Sequence, residues 1–509
     1  MKALLMHPDR DFDPDREIAA HADDLVQDLA LDTLLDSMAA NDGFLRKIAH
    51  AALLAACDND TDTVCYRQAI LKDCLEHRAV VEELYRFTVD TLEAKRTHYY
   101  GVFGHYPPAI LHGAIEVLGM FVERLRTLKA TADTHASGFR SSGLERFFEM
   151  VKTELSDDYL CSIQHHLKEA RLKSGVLISA TLGEGNRGHR HVLREQLDKR
   201  PRWVRQLMDP RSHAYRFRIP ERDEAGARAL SELEGRGINL IANALAQSMD
   251  HLNDFFVMLR TELAFYIACL RLHDRLKTLD VPLCFPDLYT VGTRRLAFAG
   301  ISDVCLALEM EHTVVGNTLN LDDKDVAIIT GANQGGKSSF LRSVGVAQLM
   351  MQSGMFVAAE SYAGEHCNAL FTHYRREEDV TMNSGKLDEE LNRMSRLVDA
   401  MSPGSLVLFN ESFASTNERE GSEIARQIVC ALHEKHIRVF FVTHLYAFAH
   451  DLYETATARV LFLRAERRDD GTRTFRVMPG QPLQTSYGKD LYDQTFAGRD
   501  GASKDVPGA

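Results

Sequence analysis

The chain has 509 residues, 45% of them hydrophobic and 26% charged, with a net charge of −13. That length exceeds one compact core and implies two or three domains of ordinary globular composition. The negative balance excludes a polycation, so any contact with nucleic acid must come from a local basic patch. The nine cysteines are scattered and form no C-x-x-C pair, which reads as free thiols in a reducing compartment rather than a zinc or disulfide framework. The N-terminus turns acidic before any long apolar run, and no stretch reaches the ~18 apolar residues of a membrane span, so a cytoplasmic protein is expected.

Residues 17 to about 135 read as successive helices. Apolar residues recur every three or four positions in LVQDLALDTLLDSM and in ILHGAIEVLGMFVERLRTL, the latter just after Pro107 and Pro108. Residues 142–172 continue the pattern. At about 173–222 the period changes: Val176–Ile178 and the alternating Tyr215, Phe217 and Ile219 predict a small β element. Residues 187–222 hold ten arginines and Lys199 against four acids, a net +7, with Trp203, the only tryptophan, among them. From 232 to about 280 one long helix is expected, spanning about 60 Å at 1.5 Å per residue, a length that suits a lever between distant sites. From 282 onward short apolar runs (VAIIT, SLVLF, RVFFVTH) alternate with helical stretches, which predicts a parallel sheet flanked by helices. The tail at 491–509 reads as disordered.

The strongest motif is DVAIITGANQGGKSSFLRSV. A strand ends at Thr330, residues Gly331–Ser338 fit G-x-x-x-x-G-K-S/T, and a helix follows at once. Such a loop presents backbone N–H groups and a helix N-terminus to phosphates. Lys337 can reach the β- and γ-phosphates, and the Ser338 hydroxyl can ligate Mg²⁺. SLVLF then ends at Asn410 and Glu411, where phosphoryl-transfer enzymes place a magnesium-side carboxylate and a water-positioning group. Glu411 suits the second role. Asn410 can hydrogen-bond a metal-bound water but lacks the charge. RVFFVTH ends at His444, where an imidazole can sense the γ-phosphate.

In combination these motifs resemble the ATPase domain of the MutS family, from about Asn317 to Gly488. GANQGGKSS is similar to the family's G-P-N-M-G-G-K-S-T, LFTH at 370–373 to I-F-T-R, LVLFNESFAST to L-V-L-M-D-E-I-G-R-G-T, FVTHLY to F-A-T-H-Y, and TSYGKDL to its late S-Y-G segment. The resemblance implies a multidomain protein: an all-α core and lever region at 1–281 with a reduced clamp-like basic and β insertion at about 173–222, then an α/β P-loop ATPase domain of the ABC/MutS type at 282–490. It implies ATP and Mg²⁺ as cofactors. Gly331, Ala332, Asn333, Gln334, Gly335, Gly336, Lys337, Ser338, Ser339 and Asn317 are then the nucleotide contacts, Ser338 and Asn410 the metal side, Glu411 the catalytic base and His444 the sensor. It also implies a homodimer through the ATPase domains, with Ser384, Gly385, Lys386, Thr416 and Gly421 in loops that face the partner subunit.

Three departures stand out. Asn410 replaces the family's aspartate, Leu387 follows Ser384-Gly385-Lys386 where the family has a serine after S-G-R, and Val314 stands where the family's aromatic stacks on adenine. These predict slow hydrolysis with nucleotide binding intact. No mismatch-reading Phe-x-Glu context or endonuclease-like module is visible in the chain. At the expected lever tip, Arg194, Arg200, Arg202, Trp203, Arg205 and Arg216 are candidates for contact with duplex or branched DNA at low sequence specificity. The expected function is a dimeric, ATP-dependent DNA clamp in mismatch repair or recombination. The competing reading is an ATP-gated dimeric scaffold that switches a protein or RNA partner and turns over slowly. A transporter-type ATPase subunit shares the site logic, but the chain has no LSGGQ run.

Overall fold

The computed structural model describes residues 1–16, 18, 21–98, 107–172, 175–194, 218–220, 222–376, 385–455, 458–468 and 472–484. By packing, the chain falls into two compact units, and the division does not follow the expected break at 281/282. One unit gathers Met1–Ala3, Ala79–Phe139 and Leu144–Arg260. The other gathers Leu4–Arg78, Arg140–Gly143 and Thr261–Ala509. Residues 4–78, expected to belong with the helical region, thus pack with the α/β portion. Among the described residues no helix is long and apolar enough to cross a membrane.

The first unit is helical. Its helices include α5 (Arg78–His98) from Ala79 onward, α6 (Pro107–His135), α7 (Ser142–Glu154) from Leu144 onward, α8 (Asp157–Ala170) and the Glu224–Arg260 portion of α9 (Glu224–Thr278). The apolar stripe read at threes and fours on α6 is the buried one, with Leu111, Leu118, Phe121, Val122 and Leu125 all inside. Phe121 stacks on Phe256 of α9 with ring centroids 5.4 Å apart, and Phe87 meets the same ring edge-on at 6.2 Å. Helix α9 starts eight residues earlier than expected, after Asp223, whose carboxylate accepts the Gly226 N–H at 2.9 Å.

The region of the expected β element holds a hairpin: β1 (Ile178–Leu182) pairs antiparallel with β2 (Gly188–Leu193), a strand within the basic run. The intervening GEGNR closes a tight turn, with Gly185 at φ +67° and the Gly183 N–H donating to the Arg187 carbonyl at 2.8 Å. Residues 195–217, which include most of AYRFRIP, lie outside the described residues, as does the tail read as disordered.

The second unit begins with an N-terminal strap. The Glu262 carboxylate on α9 accepts the Leu5 and Phe12 N–H groups, while Arg67 Nε donates to the Met6 carbonyl and the Tyr266 hydroxyl to that of Leu5. Helices α1 (Ala22–Asp28), α2 (Leu31–Ala39), α3 (Gly43–Leu54) and α4 (Thr61–Glu76) follow. The α/β portion then builds two sheets. A four-stranded, mostly antiparallel sheet has the order β3-β7-β4-β5 (Asp287–Tyr289, Ser361–Glu365, Leu296–Ile301, Asn317–Asn320), which the sequence pattern did not announce. The six-stranded sheet has the order β12-β11-β6-β10-β9-β8 (Arg473–Pro479, Val460–Arg467, Val326–Thr330, Arg438–Val442, Leu406–Asn410, Leu370–Tyr374). Its strands are parallel except for β12. The near-continuous apolar runs VAIIT, LVLF and VFFV suit such strands, because their successive residues, which point to opposite faces, are all buried. Helix α11 (Lys337–Gln352) is buried along almost its whole length. Helix α10 (Val304–Met310) precedes it, and α12 (Lys386–Ala400), α13 (Glu418–Glu434) and α14 (Tyr446–Glu454) complete the layer.

Candidate nucleotide site

In a parallel sheet the strands deliver their C-terminal ends to one edge, and loops there can converge on a ligand. Here β6 ends at Thr330, β9 at Asn410 and β10 at Val442, in adjacent positions of the sheet. The loop after β6 winds tightly into α11. Gly331 has φ +115°, and a Cβ there would lie 2.9 Å from the Ala465 nitrogen on β11, so a side chain is excluded both by backbone conformation and by space. Gly336 has φ +87° and opens α11. The first N–H groups of α11 have no partner within the helix and, with the dipole, make its start an anion site.

Lys337 is buried, and its Nζ donates to the carbonyls of Gly331 at 3.1 Å and Ala332 at 2.9 Å. Its ammonium is thus folded over the loop. Burial lowers its pKa to about 8, with Glu411 opposing the shift. The Ser338 hydroxyl donates to Asn410 Oδ1 at 3.0 Å. Glu411 sits at φ +55°, its N–H donating to the Val442 carbonyl at 2.9 Å, and its Oε1 lies 3.0 Å from His444 Nε2. The His444 hydrogen bond first, and in lesser degree the Lys337 and Arg375 cations, hold the Glu411 carboxyl below its usual range against the opposing effect of burial.

These side chains surround one cavity of about 610 Å³, lined by Asn333 to Ser339 together with Leu306, Arg375, Glu411, His444 and Phe475. Of the sequence-derived site residues, Asn333 to Ser339, Glu411 and His444 line this cavity, while Gly331, Ala332 and Asn410 adjoin it through their bonds to Lys337 and Ser338 without lining it. Asn317 is not among them. It is buried, and its Oδ1 accepts the Val477 N–H at 2.7 Å, tying β5 to β12. With Val314 it lines a second cavity of about 520 Å³. Gly385 and Lys386 begin α12, Thr416 donates to Glu420, and Gly421 packs under the Phe413 carbonyl; none of the four lines the 610 Å³ cavity. Ser384, Arg200, Arg202, Trp203, Arg205 and Arg216 lie outside the described residues. Arg194, beside the hairpin, donates from Nε to the Ser179 hydroxyl at 2.8 Å.

The donor set suits a hard divalent cation only in part. The Ser338 hydroxyl and Asn410 Oδ1 are adjacent neutral oxygens, and Glu411 is the one carboxylate lining the cavity. Among the described residues no cluster of three or more His, Cys, Asp or Glu is placed to hold a metal. A magnesium ion here would thus rely on phosphate oxygens and water for most of its shell, as this ion usually does.

Sequence reasoning missed three lining or flanking groups. Arg375 follows β8, Phe475 is on β12, and Arg473 donates to Gln334 Oε1 at 2.9 Å. It also missed a buried polar network behind the site. Glu390 on α12 accepts the Phe413 N–H and the Ser415 hydroxyl, both at 2.7 Å, and the His373 ring meets the Ser412 hydroxyl at 2.8 Å. Burial, aided by Arg393, pushes His373 down to about 3, so the imidazole stands neutral at the position of the arginine in I-F-T-R.

A parallel sheet with a glycine-bent loop running into a buried helix, and a carboxylate–imidazole pair on the neighbouring strands, defines the class of P-loop nucleotide-binding proteins. Comparison with known families places it further: residues 59–279 match the MutS2 N-terminal domain and residues 327–495 match MutS domain V. The chain belongs to the MutS family. It is 29% identical over 266 residues to a DNA mismatch repair protein MutS of Lactobacillus acidophilus, covering 49% of this chain and 31% of that protein. It is 34% identical over 175 residues to an Endonuclease MutS2 of Lacticaseibacillus casei, covering 34% and 22%. With the MutS protein homolog 4 of Mus musculus it shares 30% over 203 residues, covering 38% and 21%. The chain spans about a third or less of the length of these relatives.

Proposed function

We propose that this chain is a Mg²⁺-dependent ATPase that works as a dimer through its ATPase domains and clamps duplex or branched DNA in mismatch repair or recombination. The observation that carries the reading is the meeting of Lys337, Ser338, Glu411 and His444 around one cavity at the C-terminal edge of the sheet. In this reading the N–H groups of the loop and Lys337 hold the phosphates. Ser338, with Asn410 beside it, would hold Mg²⁺, and the ion when bound would screen phosphate charge. Glu411 orients the attacking water and takes its proton as the bond from the γ-phosphorus to the ADP oxygen breaks. His444 keeps Glu411 ionised and aimed. Hydrolysis is slow, because Asn410 supplies a dipole where a full negative charge would hold the metal more firmly. DNA is held by the arginines of segment 187–222.

The neutral Asn410 also favours a second reading, an ATP-gated scaffold for a protein or RNA partner in which binding matters more than turnover. One experiment separates them: ATP turnover and complex size measured with no DNA and with homoduplex, mismatched and branched DNA. Stimulation by DNA supports the clamp. Nucleotide-driven dimerisation that ignores every DNA supports the scaffold and rejects the clamp.

A further inference from the structure

The 610 Å³ cavity contains a cation that the phosphate-loop motif does not supply. We propose that Arg375 is a phosphate-binding residue that contacts the terminal phosphate of a nucleoside triphosphate from within the same chain, and so makes the site distinguish the triphosphate from the diphosphate. The inference rests on the nucleotide reading above.

Its basis is positional. Strand β8 pairs in parallel with β9, Tyr374 standing opposite Asn410, and the Arg375 N–H donates to the Asn410 carbonyl at 2.9 Å. The backbone of residue 375 is therefore fixed directly beside the strand end that carries Asn410 and Glu411. Its side chain is exposed and lines the cavity together with Lys337, Ser338, Glu411 and His444. The next residue locks this placement. The Arg376 guanidinium pairs with Asp24 and Asp28 and with the Gln27 amide oxygen, all on α1. Successive residues of an extended segment point to opposite sides, so anchoring Arg376 on α1 leaves Arg375 facing the site.

Charge makes the cation available. A carboxylate at 410 would stand next to Arg375 and compete for it, whereas the amide of Asn410 carries no charge and is already engaged by Ser338. Glu411, the remaining anion of the cavity, is held by His444. Lys337 and Arg375 against Glu411 leave a net charge of +1 among these three lining groups. A planar guanidinium with five donors suits phosphate oxygens, and a γ-phosphate presents three of them.

The test measures equilibrium binding of the imido analogue of ATP and of ADP, each with Mg²⁺, to the full chain and to Arg375→Ala, Arg375→Gln and Arg375→Lys. Loss of a charge-assisted hydrogen bond is expected to weaken the triphosphate analogue by about tenfold or more and ADP by less than about threefold, with Arg375→Lys recovering part of the difference. Equal weakening of both nucleotides, or of neither, overturns the assignment. Arg375→Gln keeps the bulk of the side chain, so agreement with Arg375→Ala attributes the effect to charge. Lys337→Ala separates the two levels of inference. If it abolishes binding of both nucleotides while Arg375→Ala changes neither, the nucleotide reading stands and Arg375 has no part in it. If the parent chain binds neither nucleotide, both fail together.

Discussion

The hydroxyl of Ser338, at the start of α11, donates a 3.0 Å hydrogen bond to Oδ1 of Asn410, at the end of β9. In the proposed reading the two residues are the metal-side pair of the site, and both are neutral. Replacing Asn410 by aspartate keeps an acceptor for Ser338 and adds a charge that would draw Mg²⁺ inward. Asn410→Asp is expected to raise the ATP turnover rate several-fold and to lower the Mg²⁺ concentration needed for half-maximal rate. Phosphate release followed across a magnesium titration checks this. An unchanged rate at saturating metal would mean that residue 410 does not limit hydrolysis.

Glu411 and His444 form the only carboxylate–imidazole pair lining the described cavity. Glu411→Gln removes the proton acceptor but nearly preserves shape, so turnover should fall by about a hundredfold or more while ATP stays bound. The trapped species should run as a dimer in size-exclusion chromatography with light scattering. A variant that hydrolyses ATP like the parent would remove Glu411 from the role of base.

Lys337 makes the site pH-dependent on the alkaline side. Its ammonium falls from 10.5 to about 8 on burial. Between those values the folded chain holds fewer protons than the unfolded one, so this group adds stability as pH rises through that window. Nucleotide affinity follows the opposite sign, because the phosphates need the charged form. Affinity for the imido analogue should be level near pH 7 and fall by up to about tenfold per pH unit above about 8. Titrations from neutral to alkaline pH read this directly, and a level profile throughout would mean that Lys337 does not contact the phosphates.

Gly421 lies on the buried side of α13, and a Cβ there would come within 2.3 Å of the Phe413 carbonyl oxygen. The obstacle is backbone, in the segment that follows Glu411. Gly421→Ala should therefore cost about 1–3 kcal/mol and lower turnover by displacing Glu411. Thermal unfolding and turnover, measured together, test the link. A destabilised variant with parental turnover would show that the segment absorbs the strain without moving Glu411.

For DNA, the arginine-rich segment sets the expectation. Replacing Arg200, Arg202 and Arg205 by glutamate should weaken binding to every DNA tested and flatten its salt dependence, because each duplex phosphate that an arginine no longer neutralises keeps about 0.9 counterion. Anisotropy titrations of parent and variant at several salt concentrations give both quantities. Coincident curves would reduce the segment to a solvated charged face.

The phosphate loop could be read from the chain alone because its parts are contiguous: an apolar strand, glycines at the two sharpest bends, a lysine and a helix follow one another without a break. Glu411 and His444 could be read because each stands within two residues of the end of an apolar strand. The long helix and the apolar stripe of α6 were legible from their period, which depends only on local geometry. What the sequence did not determine rests on contacts between distant residues. Arg375 enters the site only because β8 pairs with β9 and because Arg376 finds an acid 352 positions earlier in the chain, on α1. Asn317 proved to be a tie to Val477, 160 residues on. Residues 4–78 joined the α/β unit through Glu262, Arg67 and Tyr266, side chains whose backbone partners carry no identifying residue type. A local motif fixes its own conformation, whereas a buried arginine or glutamate declares only that it needs a partner, and folding alone decides which one it meets.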